Sequence, residues 1–300
     1  MVQAGLDINM ASYLAHCVNI NGQVLGNLYN EPSERKRCFW SIYLLQHLQG
    51  EHIRTMRLMT GIHTPFNTGS GLSPSYASYE APYLSERPQE SHSSDREDLG
   101  LISYTIHLSE VWSAAMSYAA SRVGPDSPPP WSPQSDYSTV TYRHVQFDSY
   151  TPLSHRYHAH HFQDYRLSEL SQRRYWWCPW FFIQFLYATI PCLLNHPFLL
   201  SMRLRSFRHT MPQSFIRQSF EHITINTAWI LHFIDLLEHK GFQIGDPVIG
   251  HCVVVVATIH LQHSFAEDAG LREKSREGFS KCLRFLHPLG QRWPHIRNMV

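Results

Sequence analysis

The chain has 300 residues and a formal net charge of +1, with 43% apolar and 16% charged residues, against about 45–50% and about 25% in ordinary globular chains. That balance excludes a disordered composition and any chain-wide field for nucleic acid or anionic lipid, and six Cys exclude a disulfide scaffold. The surplus lies in 21 His and in aromatics at 13%.

Residues 3–17 read as a helix, with Leu6, Met10, Tyr13, Leu14 and Cys17 at three-to-four spacing. Met1–Asp7 carries neither a positive stretch nor an apolar one, so no signal peptide is expected. Residues 31–49 read as a stronger helix: Pro32 suits a first turn, the charged run Glu34–Arg37 leads into Phe39, Trp40, Ile42, Tyr43, Leu44 and Leu48, and Gly50 is a stop. From Thr64 to Ser94, Pro65, Pro74, Pro82, Pro88, Gly69 and Gly71 predict an irregular, partly disordered connector. The expected division is therefore 1–63, a connector over 64–97, and a helical part over 98–300.

Ser94 and Glu97 have capping-box spacing and open a helix running to about Arg122. The five prolines of 124–133 stop it and stiffen the link. Residues 168–194, rich in Trp, Phe and Tyr, form a helix that Pro179 kinks or divides. A long helix over 213–240 ends on Lys240-Gly241. Asp246-Pro247 is an N-cap followed by a first-turn proline, opening a helix to about Phe265. An amphipathic helix follows over 268–287. Strand alternation is not found, so the fold class is all-α, multi-helix, with long irregular connectors. Val248–Phe265 is the most apolar stretch, but its aliphatic run Val253–Ala257 is far short of the roughly 20 residues of a bilayer span, so no membrane is expected.

The cysteines, at 17, 38, 178, 192, 252 and 282, contain no C-x-x-C pair, and buried free thiols are expected rather than a zinc site. The densest His cluster is His155, His158, His160 and His161. Imidazoles suit zinc or copper, which leaves one alternative, an all-α metal-dependent enzyme using the His155–His161 cluster. That segment has no H-E-x-x-H and no neighbouring Cys. G-x-S-x-G, G-x-G-x-x-G and the P-loop are absent. No catalytic and no metal-ligating residue is assigned, and no enzyme is expected. The basic segments Arg35-Lys36-Arg37, Arg173-Arg174 and Arg203-Leu204-Arg205 are too short for base readout.

Several stretches carry a resemblance. The run Glu34-Arg35-Lys36-Arg37-Cys38-Phe39-Trp40-Ser41-Ile42-Tyr43-Leu44-Leu45 resembles the E-x-R-R-R-x-W-W-S-x-Y-x-L-D helix in the middle homology region of fungal-specific transcription factors. Gly5–Asn19 is similar to the preceding helix, with its usual Gly-Leu-His ending lost at Ala15-His16-Cys17. Further landmarks are Tyr175-Trp176 with Pro179-Trp180, Leu194-Asn195-His196-Pro197-Phe198, Trp229-Ile230, Lys240-Gly241-Phe242, Gly245-Asp246-Pro247 and Arg292-Trp293-Pro294-His295-Ile296.

The resemblance implies a regulatory α-helical domain of a nuclear transcription regulator. Such proteins contact DNA through an N-terminal zinc cluster with six Cys in short-spaced pairs. No such cluster stands in this sequence, so neither zinc nor DNA is placed on any residue here, and no cofactor is expected. Gln46 also replaces the family's usual Asp. The chain then reads either as a truncated product or as a regulator acting without its own DNA-binding module. Its partner is another protein, a homodimer or heterodimer mate, or a small effector. The family-motif residues Glu34, Arg35, Arg37, Trp40, Ser41, Tyr43, Asn195, His196, Pro197, Asp246, Pro247, Trp293 and Pro294 mark packing or contact. Trp176, Trp180, Phe181, Phe185 and Trp229 line an apolar pocket or simply fill the core.

Overall fold

The computed structural model describes residues 41, 43–45, 47, 48, 100–122, 124 and 127–299. Among them there is no strand, and the fold is all-α as the sequence predicts. The chain divides into two units, Met1–Ser113 and Ala114–Val300. In the first, Ser41, Tyr43, Leu44, Leu45, His47 and Leu48 are helical, within the helix read over 31–49. The rest of that helix, the helix over 3–17, the connector and the Ser94–Glu97 cap lie outside the described residues. Helix α1 (Gly100–Ala120) crosses from the first unit into the second.

The second unit continues with α2 (Asp136–Tyr150), α3 (Leu167–Gln172), α4 (Arg174–Leu194), α5 (Pro197–Arg203), α6 (Gln213–Lys240), α7 (Pro247–His263), α8 (Ala269–Arg292) and the one-turn α9 (Pro294–Arg297). Helix α4 is central. It packs against α6 on one side and α7 on another, α2 lies on it, and α8 closes over α7. Its Trp180, Phe181, Phe185, Leu186 and Ile190 are wholly enclosed. The helices packed against it bring Ile230 and Ile234 of α6 and Val253, Val256 and Ile259 of α7, also wholly enclosed. Burial of each such side chain stabilises by about 1.5–3 kcal/mol. The run Arg174–Phe207 is long and apolar enough to cross a membrane, but 78% of its most apolar window is buried inside the fold.

The helix ends follow from local chemistry. Asp246 caps α7, its Oδ1 accepting from Val248 N at 2.8 Å, with Pro247 in the first turn. Asp268 caps α8 through Gly270 N and Leu271 N. Gly241 stops α6 at φ 65°, where Gly241 N donates to Glu238 O and Phe242 N to Leu237 O; a side chain at this left-handed position would be strained. Arg203 closes the end of α1: its guanidinium donates to the Tyr118 and Ser121 carbonyls and lies 3.8 Å over the Tyr118 ring.

Three features differ from the sequence reading. Helix α2 was not anticipated, because its polar sequence buries only Val140, His144 and Phe147, a narrow stripe capped by Ser135. The 168–194 segment breaks at Arg173, while α4 runs on through Pro179 and Pro191. Helix α8 continues past residue 287 through Pro288; the carbonyl that Pro288 leaves without a donor belongs to Arg284, an exposed residue.

Candidate functional site

The sequence-motif residues occupy caps and joints. In the first unit, Tyr43 Oη donates to Glu110 Oε1 at 2.8 Å and its ring lies 4.1 Å from that of His47; Ser41 is exposed nearby. Glu34, Arg35, Arg37 and Trp40 lie outside the described residues. In the second unit, Asn195 ends α4. It is 2% exposed, donates to Pro191 O and accepts from Tyr137 Oη at 2.9 Å each.

His196 caps α5 ahead of Pro197. Its Nδ1 accepts from Phe198 N and its Nε2 donates to Thr258 Oγ1 at 3.0 Å. Burial holds its pKa down to about 4, so the ring is neutral at pH 7. Burial pushes the Asp246 carboxyl up, against the pull of its two backbone N–H donors. The Asp246-Pro247 and Trp293-Pro294 motifs meet in space: Trp293 Nε1 donates to Gly245 O at 2.8 Å, and a Cβ at Gly250 would stand 3.0 Å from Ile296 Cδ1. This close approach locks α9 against the start of α7.

Of the five aromatics named from the sequence, Phe181, Phe185 and Trp229 meet Phe233, and Trp180 and Trp176 follow on behind Phe181. Trp180 packs on Phe181 at 5.0 Å, Phe185 on Phe233 at 5.5 Å and Trp229 on Phe233 at 5.6 Å, while Trp176 stacks on Trp180 at 6.2 Å. Trp180, Phe181 and Phe185 are wholly enclosed. The arrangement is core packing, with Trp176 and Trp229 at its half-buried edge.

A cleft of about 200 Å³ opens elsewhere, between α2, α4 and α6. Tyr187, Pro191 and Leu194 line it from α4, Thr141 and Val145 from α2, and His222 and Asn226 from α6. Its chemistry starts with Pro191. Proline has no amide hydrogen, so the Tyr187 carbonyl one turn back loses its helical donor. His144 supplies the replacement: its Nε2 donates to Tyr187 O at 2.9 Å, and its ring stacks on Tyr187 at 4.1 Å. Burial lowers the His144 pKa to about 4, which keeps the ring neutral with its proton on Nε2. The sequence reading did not single out His144 or Tyr187. The one available signal was a proline inside a helix, whose orphaned carbonyl needs a donor from somewhere else in the chain.

The His155–His161 segment lies among three successive 3₁₀ turns, Leu153–His155, Tyr157–Ala159 and Phe162–Asp164. His160 Nε2 donates to the Ser154 carbonyl, and its ring meets Trp176 at 4.5 Å. His158 faces Trp229 at 6.3 Å, and the His155 carbonyl accepts from Trp180 Nε1 at 2.9 Å. Among the described residues, no three His, Cys, Asp or Glu side chains are grouped so as to hold a metal ion. The metal-enzyme alternative therefore gains nothing from this segment. Cys178, Cys192, Cys252 and Cys282 are free thiols, the last three buried, and burial pushes Cys252 and Cys282 up to about 12. Cys17 and Cys38 lie outside the described residues.

No family model and no solved structure matches the chain. Two sequences of the Zn(2)-C6 fungal-type transcription factor FTF1c from Fusarium oxysporum f. sp. lycopersici do. Identity is 22% over 211 residues in one and 21% over 209 in the other, covering 68% of this chain in each case. The chain is similar to a fungal transcription factor. It spans about a fifth of the length of these relatives, 21% in both. The similarity supports the family resemblance seen in the motifs, and with it a transcription regulator.

Proposed function

We propose that this chain is the regulatory α-helical region of a fungal transcription regulator, acting in the nucleus by binding rather than by catalysis. The observation that carries the reading is the similarity across 68% of the chain to a Zn(2)-C6 transcription factor. The near-zero net charge fits a region that leaves DNA contact to another module. In this reading zinc belongs to a cluster outside these residues, and the chain itself holds none. The motif residues Asn195, His196, Asp246 and Trp293 set helix ends and joints, as expected of a scaffold that presents surfaces. A protein partner is the reading we favour; the α2–α4–α6 cleft of about 200 Å³ is itself smaller than the roughly 300–1,000 Å³ of ordinary small-molecule sites.

The test is a tethered reporter. The whole chain is fused to an unrelated DNA-binding domain in a fungal cell carrying the matching promoter. The reading expects reporter output to move, up or down, beyond that of the DNA-binding domain alone. Unchanged output from a fusion that is made, folded and nuclear overturns it.

A further inference from the structure

The chain from Pro197 to Arg208 is one continuous right-handed run: α5, then the 3₁₀ turn Leu204–Phe207, with Leu204 and Arg208 both in right-handed helical backbone. Its inner side is held in three places. Leu200 and Leu204 are buried with Phe215 of α6, Phe207 meets the Trp131 ring at 5.7 Å, and Arg203 donates to Ser121 O just past α1. The outer side is in water. Phe198 is 59% exposed and Met202 46%, and Ser201, Arg205 and Arg208 are exposed with them. Phe198 and Met202 stand four apart on an α-helix, which puts them on one side. Arg205 is three further on, and Arg208 three beyond that across a 3₁₀ turn, where side chains at i and i+3 eclipse. These four form a stripe on a single run of chain, apolar at its start and cationic at its end.

We infer that this stripe docks an acidic amphipathic helix of a partner protein. Charge complementarity selects that partner. No Asp or Glu stands between Glu169 and Glu221 in the sequence. Among the described residues, neither Arg205 nor Arg208 is ion-paired. Two guanidiniums with no carboxylate of their own call for carboxylates from outside, which arginine pairs in a bidentate fork. Phe198 and Met202, one turn earlier, call for apolar side chains one turn apart on the same partner face. The stripe spans roughly 15–17 Å, about three turns of such a helix. A nucleic acid matches it poorly, because its binding rests on many phosphate contacts and half of this stripe carries no cation. The inference rests on the reading that the chain acts through a protein partner, and it names the chemistry of that partner.

The test titrates the whole chain against a fluorescent synthetic helical peptide and follows anisotropy at low salt. The peptide carries two Leu four residues apart near one end and two Glu on the same face near the other. Saturable binding is expected. Phe198→Ser weakens it by about tenfold, as for an anchor side chain. Arg205→Glu with Arg208→Glu sets like charges against the peptide and weakens it by about 30-fold. Arg284→Glu, an exposed arginine on α8, leaves it unchanged. The same peptide with Lys for Glu binds at least about tenfold more weakly. All of these side chains are in water, and circular dichroism confirms that the variants fold. No saturable binding, equal binding of the Lys peptide, indifference to Phe198→Ser and to the arginine reversal, or tighter binding of a single-stranded oligonucleotide overturns the inference. So does a dimer of the chain, seen by sedimentation equilibrium, that Phe198→Ser dissociates. The titration needs no DNA, so a tethered reporter that shifts while the peptide fails to bind removes this surface alone and leaves the transcription reading standing.

Discussion

Acid should destabilise this protein before most of its carboxylates titrate, and His144 supplies the clearest part of the effect. Its pKa falls from 6.5 to about 4 on folding, because burial disfavours the charged ring. The unfolded chain therefore takes up this proton near pH 6.5, and the folded chain only near pH 4. Stability is complete above pH 6.5 and is lost as pH falls between those two values. A difference of about 2.5 units at 1.36 kcal/mol each amounts to about 3 kcal/mol once the titration is finished, and about 2 kcal/mol at pH 5. His260, 7% exposed and also lowered to about 4, acts in the same direction, as does the less buried His196. Asp246, raised by burial, works the other way, so the decisive comparison is between variants. His144→Gln keeps an amide donor for the Tyr187 carbonyl but does not titrate. Urea melts followed by circular dichroism at pH 7 and pH 5 should show the wild type losing stability, and His144→Gln losing about 2 kcal/mol less. Equal loss in both proteins would show that the His144 ring does not supply this pH dependence.

The donation from His144 to Tyr187 predicts a coupling with Pro191. Pro191→Ala restores the missing amide, so His144→Ala should cost about 1 kcal/mol less in that background than alone, measured as a double-mutant cycle in urea. Gly278→Ala brings a Cβ to 2.8 Å from the His260 ring and should destabilise by about 1–3 kcal/mol; His260→Ala in the same chain should recover part of that loss. Phe185→Ala empties a wholly enclosed site on α4 and should cost about 3–5 kcal/mol by thermal or urea melts.

Helices with strong end chemistry were legible in the sequence. The helix read over 213–240 is Gln213–Lys240, and Asp246-Pro247 opens α7 as expected. These ends depend on residues adjacent in sequence, such as Gly241 and Asp246. Helix α2 was not legible, because its stability comes from a three-residue stripe laid on α4 and not from its own composition. Pro179 is expected from the sequence to kink or divide the central helix. The helix is not divided there; the carbonyl that Pro179 leaves without a donor belongs to Tyr175, a residue 68% exposed. Pro191 is deep in the fold, and its compensation comes from His144, 47 residues away in the chain. No local pattern reports that pairing. The aromatic richness of α4 was plain, whereas whether those rings fill a core or line a cavity depends on what α6 brings against them, and Phe233 is the residue that decides it.

The proposal that this folded helical region regulates transcription by binding is tested most directly by reporter output from the whole chain tethered to DNA, compared with the same fusion carrying Phe185→Ala. The wild-type fusion is expected to shift output, and the core-disrupted fusion to return to the level of the DNA-binding domain alone. No shift from a folded, nuclear wild-type fusion, or an equal shift from a Phe185→Ala fusion that melts show to be unfolded, would contradict this.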